Sequence, residues 1–290
     1  MDIFLGLIGC IAAVFIGVYL AKRQARAFSG PGFDPTTTHK LGDGALPTVN
    51  YFDYGDMRFL HLGSPAVQGS MKLSKPFEIH LEYQQRMMAW MLFVDLEKIN
   101  QLYSMQLGLG AASLTKFCHL NLSMQTTAIE LNPMVIETCR QSFYLPENNQ
   151  RLQVLVGDAA EVVSLPDWQA KIDALQVDLY DQDAERPVLD SEYFYRNCKQ
   201  VLTENGCMTV NIFGRHSSIK ESIKKISVVF GDASVWWFKP TKAGNSIVVA
   251  LNSPRKLDKN QLNVQAQVIE TSWSLPARKW PKVLTSPSLI

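Results

Sequence analysis

The stretch that decides the fold is Leu107-Gly108-Leu109-Gly110-Ala111-Ala112-Ser113. It closes a run that predicts a strand at residues 103–109, and the following residues predict a helix through Lys116 and Leu120. Small residues after a strand allow a tight turn and let a ligand approach the backbone N–H groups closely. Glycine is common after strands, so the meaning of this loop depends on what the neighbouring strands carry.

Beyond the loop, strand and helix patterns alternate along the chain. This alternation predicts an α/β fold with a doubly wound sheet of seven strands that ends in a hairpin. The strands predicted after the loop are residues 126–131, 151–156, 172–179, 206–213, 235–238 and 246–251.

Acidic residues end the next two predicted strands, at the sheet edge where ligands bind in such folds. Glu130 lies 20 residues after Gly110, a spacing that suits a carboxylate accepting both hydroxyls of a ribose. Asp158 follows the third strand, where an acid can accept an exocyclic adenine amine. Either acid alone could be a helix cap or a solvated loop charge. Their order along the chain favours a nucleoside site.

Three carboxylates, Asp178, Asp181 and Asp183, lie within six residues where the chain leaves the fourth predicted strand. The preceding apolar run would bury Asp178, and a buried carboxylate needs a partner. A cationic amine is a natural partner. Two carboxylates can bind an ammonium group, and one of them can accept its proton so that the nitrogen becomes a nucleophile. A solvated acidic loop is the alternative interpretation.

Six segments resemble the spermidine synthase (polyamine aminopropyltransferase) family, and in particular its bacterial spermidine-synthase-like branch. Their order and spacing carry the resemblance, which extends from about residue 67 to residue 251. The segments are Tyr83-Gln84-Gln85-Arg86-Met87-Met88, Leu107-Gly108-Leu109-Gly110-Ala111-Ala112-Ser113-Leu114, Ile129-Glu130-Leu131-Asn132-Pro133, Gly157-Asp158-Ala159, Val177-Asp178-Leu179-Tyr180-Asp181 and Ser191-Glu192-Tyr193-Phe194-Tyr195.

The resemblance implies a Rossmann-like sheet of the S-adenosylmethionine-methyltransferase type, preceded by a small N-terminal β-domain. It implies decarboxylated S-adenosylmethionine as a co-substrate, with no prosthetic group. On the donor side, Gly108 and Gly110 would form the binding loop, Glu130 would bind the ribose and Asp158 the adenine. Gln68 would be the donor-binding glutamine that follows the first strands.

On the amine side, the resemblance assigns three residues. Asp178 would be the general base on the attacking amine, Asp181 would hold the polyamine, and Tyr83 would line the amine site. The implied activity is transfer of an aminopropyl group to a polyamine or other amine, with release of methylthioadenosine.

Two other functions stay open. Authentic synthases carry an acid in the glycine loop that grips the aminopropyl amine, and residues 108–113 contain none. A methyltransferase that uses ordinary S-adenosylmethionine is therefore an alternative. A membrane-tethered protein that binds a nucleoside without catalysis is another.

Composition narrows the partners. Lys and Arg number 28 against 27 Asp and Glu, and this net charge of +1 predicts no nucleic-acid partner. The five cysteines are widely spaced without a C-x-x-C pair, which argues against a disulfide framework. The five histidines show no ligand spacing, so no metal site is predicted. The resemblance also admits a homo-oligomer.

The N-terminus predicts a membrane anchor. Residues 3–20 carry no charge, and Lys22, Arg23 and Arg26 follow at once. Eighteen helical residues span roughly 27 Å, close to the thickness of the hydrocarbon layer. The basic flank then predicts a single-pass protein of the bacterial inner membrane whose enzyme domain is cytoplasmic. A buried N-terminal helix is the alternative.

These patterns divide the chain into five expected regions. They are an anchor with its basic flank (1–28), a linker (29–47), a small β-domain (48–80), a Rossmann-like nucleoside-binding domain (81–255) and a C-terminal tail (256–290).

Overall fold

The computed structural model describes residues 39–41, 44–180, 187–214, 216–255 and 258–285. Within these ranges the strands form three sheets. The strands are β1 (His39–Leu41), β2 (Gly44–Leu46), β3 (Val49–Tyr54), β4 (Met57–Leu62), β5 (Val67–Lys72), β6 (Tyr103–Leu107), β7 (Gln125–Glu130), β8 (Leu152–Val156), β9 (Ile172–Val177), β10 (Leu202–Phe213), β11 (Val235–Phe238), β12 (Asn245–Leu251) and β13 (Leu284–Thr285).

The α-helices alternate with the strands of the largest sheet. They are α1 (Glu82–Met87), α2 (Ser113–Lys116), α3 (Pro133–Ser142), α4 (Ala159–Val162), α5 (Glu192–Val201), α6 (His216–Phe230), α7 (Lys259–Trp273) and α8 (Trp280–Val283).

The largest sheet has the strand order β13-β11-β12-β10-β9-β6-β7-β8. Neighbours from β10 to β8 pair in parallel, whereas β12, β11 and β13 add antiparallel strands at the other edge. Helices α5 and α6 pack on one face of this sheet, and α1 and α7 pack on the other. Covered on both faces, β9 is buried along almost its whole length, as its apolar sequence predicts. The α/β prediction is confirmed.

The predicted strand number is wrong, because the sheet has eight strands rather than seven. The eighth is β13, where Leu284 pairs with Phe238 and Thr285 pairs with Trp237. A two-residue strand has no periodicity that a sequence pattern can detect. The chain returns to the sheet because Trp280, which is 2% exposed, is buried just before β13.

A small antiparallel sheet of β3, β4 and β5 precedes the large one, which confirms the predicted N-terminal β-domain. Its first hairpin turns at Gly55, which has a φ of +57°. The small sheet packs directly on the glycine loop. A Cβ atom at Gly69 would lie 2.6 Å from the backbone nitrogen of Ala111, so only glycine fits this contact.

The predicted membrane segment at residues 3–20 lies outside the described residues. In the part of the chain that the structure describes, no helix combines the length and apolar character needed to cross a bilayer. The predicted location, a single-pass protein of the bacterial inner membrane, is therefore corrected: the described structure supplies no spanning helix on which it could rest.

Candidate active site

The glycine loop between β6 and α2 adopts backbone conformations that its small residues permit. Gly108 has a φ of +82°, Gly110 of +51° and Ala112 of +57°. A Cβ atom at Gly108 would lie 2.2 Å from the carbonyl oxygen of Asp178. The loop is therefore pressed against the end of β9, and the two segments predicted to bind donor and amine are neighbours.

A buried glutamine in β6 forms a hydrogen bond to this loop. Gln106, which is 2% exposed, donates from Nε2 to the carbonyl oxygen of Gly108 at 2.7 Å. Its own side-chain oxygen accepts a hydrogen bond from Thr115 in α2. Gln106 is a functional residue that the sequence patterns do not predict. The available signal was a polar residue in the middle of an apolar strand.

Glu130 ends β7 and faces the loop. Its carboxylate accepts from the backbone N–H of Leu109 at 2.8 Å and from that of Asn132 at 2.9 Å. Burial raises the pKa of Glu130. A carboxylate offers about four acceptor positions. The backbone N–H of Leu131 also hydrogen-bonds to this carboxylate, so three backbone donors leave about one acceptor position for a hydroxyl group.

Asp158 lies at the end of β8 and caps α4. Its Oδ1 atom accepts from the backbone N–H of Ala160 at 2.7 Å, and the residue is exposed. This is the helix-cap role that the sequence left open for it. No contact joins Asp158 to Glu130 or to the glycine loop among the hydrogen bonds of the described residues.

Asp178 follows β9 and is partly buried. Its Oδ1 atom accepts from the Asn211 side-chain amide at 2.9 Å, and its carboxylate also hydrogen-bonds to Tyr83. Burial raises the pKa of Asp178 to about 6, although both hydrogen bonds favour the charged form. The carboxylate is thus ionised at neutral pH, yet it is a stronger base than an exposed aspartate.

Two tyrosines surround this carboxylate. Tyr83 comes from α1, and Tyr180 lies two residues beyond Asp178 and donates to the carbonyl oxygen of Asn211 at 2.9 Å. Burial raises the pKa of both phenols, so both remain neutral donors.

The remaining predicted residues are placed unequally. Gln68 lies in β5, and its carbonyl oxygen is 3.0 Å from the position that a Cβ atom at Gly110 would occupy. The small sheet therefore contributes backbone to the edge of the loop. Asp181 lies outside the described residues.

Among the described residues, no group of three or more His, Cys, Asp or Glu side chains is arranged to hold a metal ion. The four described cysteines, Cys118, Cys139, Cys198 and Cys207, are free and buried. Burial raises the pKa of their thiols, so none of them is activated as a nucleophile.

Residues 108–262 match the spermine/spermidine synthase domain. The polyamine aminopropyltransferase of Neisseria meningitidis serogroup A is 30% identical over 232 residues, which cover 79% of this chain and 86% of that protein.

Two solved structures share the fold. A probable spermidine synthase from Corynebacterium glutamicum superposes with a TM-score of 0.64 at 19% identity, covering 83% of this chain and 87% of that one. Human methyltransferase-like protein 13 in complex with SAH gives a TM-score of 0.60 at 21% identity, covering 67% of this chain and 93% of that one.

The domain match begins at the glycine loop and runs past β12, so it contains the strand ends that form the site. The resemblance noted in the sequence is thereby confirmed. The chain belongs to the spermine/spermidine synthase family.

Proposed function

We propose that this chain is a polyamine aminopropyltransferase. It transfers an aminopropyl group from decarboxylated S-adenosylmethionine to the amine of a polyamine and releases methylthioadenosine. The family membership and the name of the Neisseria relative support this reaction. The donor is consumed as a co-substrate.

The donor's adenosine lies across the ends of β6, β7 and β8. Glu130 accepts from the ribose hydroxyls with the acceptor capacity that the backbone donors Leu109, Leu131 and Asn132 leave. Gly108 and Gly110 let the donor approach the loop backbone, Asp158 accepts from the adenine amine, and Gln68 contacts the donor from β5. The close packing of β5 on the loop supports this arrangement.

The single observation that carries the proposal is the carboxylate of Asp178. It is partly buried beside the glycine loop, and its pKa is raised to about 6. An acceptor amine arrives as an ammonium ion and has no lone pair until it loses a proton. Asp178 binds this cation and takes the proton, as a general base must.

The reaction then balances without a further cofactor. The amine nitrogen forms a bond to the donor carbon next to the sulfonium sulfur. The carbon–sulfur bond breaks, and its electron pair neutralises the sulfur to give the thioether of methylthioadenosine. The proton taken from the amine is first held by Asp178 and then passes to solvent, which restores the carboxylate. Tyr83 lines the amine site, and Asp181 holds the polyamine.

The test is release of methylthioadenosine by the full-length chain. Decarboxylated and ordinary S-adenosylmethionine are offered in turn with putrescine, spermidine and longer polyamines. The proposal predicts release only from the decarboxylated donor and only with an amine present. An Asp178→Asn preparation, purified in the same way, controls for contaminating synthases. No release with any amine would overturn the proposal.

A methyltransferase is the second candidate. The observation that favours it is the glycine loop, since residues 108–113 contain no acid to grip an aminopropyl amine. The same assay separates the two functions. A methyltransferase would consume ordinary S-adenosylmethionine and form S-adenosylhomocysteine, whereas binding of either donor without turnover would indicate a non-catalytic protein.

A further inference from the structure

A pair of asparagine side chains connects the β11–β12 hairpin to the carboxylate of Asp178. We propose that Asn211 and Asn245 are positioning residues that hold this carboxylate in the orientation needed to accept the amine proton. The inference rests on the proposed function, because it assigns these two side chains a part in the step that Asp178 performs.

In the two hydrogen bonds that link Asn245, Asn211 and Asp178, each asparagine donates toward Asp178. Asn211 donates from Nδ2 to Asp178 Oδ1 at 2.9 Å, and Asn245 donates from Nδ2 to Asn211 Oδ1 at 3.1 Å. An ionised carboxylate only accepts, so it must face the NH₂ end of Asn211. The oxygen end of Asn211 then needs a donor, and Asn245 supplies it. Asn245 therefore prevents Asn211 from turning its oxygen toward the carboxylate.

The backbone fixes both amides. Asn211 is 4% exposed in β10, and its own carbonyl oxygen accepts from the Tyr180 hydroxyl at 2.9 Å. Asn245 begins β12, where it pairs with Phe213 of β10. The backbone N–H of Asn245 donates to Thr241 Oγ1 at 3.1 Å, and its carbonyl oxygen accepts from the Thr241 N–H at 2.8 Å. The two asparagine side chains thus connect the β11–β12 hairpin, whose turn is hydrogen-bonded, to the carboxylate of Asp178.

A neutral donor suits a carboxylate that must accept a proton. A lysine or arginine in place of Asn211 would form an ion pair, lower the basicity of Asp178 and repel the substrate ammonium. Among the described residues, the titratable groups that face Asp178 from the packed elements are Tyr83 on α1 and Tyr180 beyond β9. Burial raises the pKa of both phenols, so neither changes charge where Asp178 titrates.

The test compares two variants with the wild type in the methylthioadenosine assay. Asn211→Leu removes the bond to Asp178, and Asn245→Ala removes the bond that orients Asn211. Asn252→Ala is the matched control. The Asn252 amide also donates to two carbonyl oxygens, those of Leu202 and Thr203, but it lies at the opposite end of the β10–β12 pair.

We expect Asn211→Leu to lower kcat roughly ten- to a hundredfold, the range for a hydrogen bond to a charged group. The acidic limb of its pH–rate profile should move to higher pH, because the lost bond favoured the ionised form. Asn245→Ala should change both quantities in the same direction by less. All three variants should bind the donor with the affinity of the wild type. The pH–rate profile of Asn252→Ala should also match that of the wild type.

An unchanged acidic limb and kcat in Asn211→Leu, with an active wild type, would overturn the positioning role and leave the proposed function intact. A fall in kcat that Asn252→Ala shares, without movement of the limb, would also overturn it, because a general loss of stability explains that result. If the wild type itself releases no methylthioadenosine, the proposed function and the positioning role fail together. The wild-type measurement therefore distinguishes this outcome from a failure of the positioning role alone.

Discussion

Replacing Asp178 by asparagine should lower activity and raise stability at the same time. The variant keeps the shape of the side chain and an oxygen that accepts from Asn211, whose bond is 2.9 Å long in the wild type. It cannot accept a proton. Loss of a general base costs roughly 10²- to 10⁴-fold in rate, so turnover should fall by at least a hundredfold while donor affinity is retained.

The stability gain follows from burial. The pKa of Asp178 is raised from 3.8 to about 6. At neutral pH, ionising this carboxyl therefore costs on the order of 3 kcal/mol more in the folded protein than in the unfolded chain. The sign is fixed by linkage, because the folded state binds the proton more tightly. The wild type should therefore lose stability as pH rises from 3.8 to about 6. The variant lacks this loss and should be more stable above pH 6, by up to about 3 kcal/mol.

Urea unfolding at a series of pH values measures the difference, and methylthioadenosine release measures the rate. Asp173→Asn is the matched control on the same strand. The Asp173 carboxylate accepts from the Tyr103 N–H at 2.8 Å and from the Thr203 hydroxyl at 2.7 Å, away from the amine site. This control should keep its activity. An Asp178→Asn variant less stable than the wild type at neutral pH would refute the burial argument, and one with unchanged turnover would refute the base.

Three further outcomes are expected. Gly231→Ala, at a φ of +85° with open space around it, should lose about 1–2 kcal/mol in urea unfolding from backbone strain, whereas Gly108→Ala should lose more because its Cβ atom meets the Asp178 carbonyl oxygen; equal losses would contradict the close contact. Glu130→Gln should weaken methylthioadenosine binding in calorimetry by about tenfold, one charge-assisted hydrogen bond, while exposed Glu137→Gln should not; equal affinities would remove Glu130 from the site. Burial lowers the pKa of Lys116 from 10.5 to about 8, so the stability of the wild type relative to Lys116→Met should rise between those pH values; a constant difference would contradict that burial effect.

Sequence patterns predicted the parts of the site that depend on local order along the chain. Glu130 and Asp178 were identifiable because each lies at the end of a predicted strand, and parallel strands end at the same sheet edge. Asn211 and Asn245 were not identified. Their hydrogen bonds depend on the register of β10 against β12 and on the distance from β10 to the end of β9. A local sequence pattern predicts neither of these.

The expected C-terminal tail contains helix α7, which local sequence features could have predicted. Helix α7 starts with a capping box in which Asp258 and Gln261 exchange hydrogen bonds, and Leu262, Ala266 and Ile269 are buried at helical spacing. Both features were present in the sequence. The membrane prediction failed differently: it relied on hydropathy in a segment that the described structure does not include, and no described helix supports it.

The most direct test of the central claim is to identify the amine product by mass spectrometry. Purified wild-type chain is incubated with decarboxylated S-adenosylmethionine and putrescine, and the amine and nucleoside products are both quantified. We expect an acceptor that has gained one aminopropyl group, formed in equal amount to methylthioadenosine and absent with Asp178→Asn. Unmodified putrescine, or a methylated amine formed from ordinary S-adenosylmethionine, would contradict it.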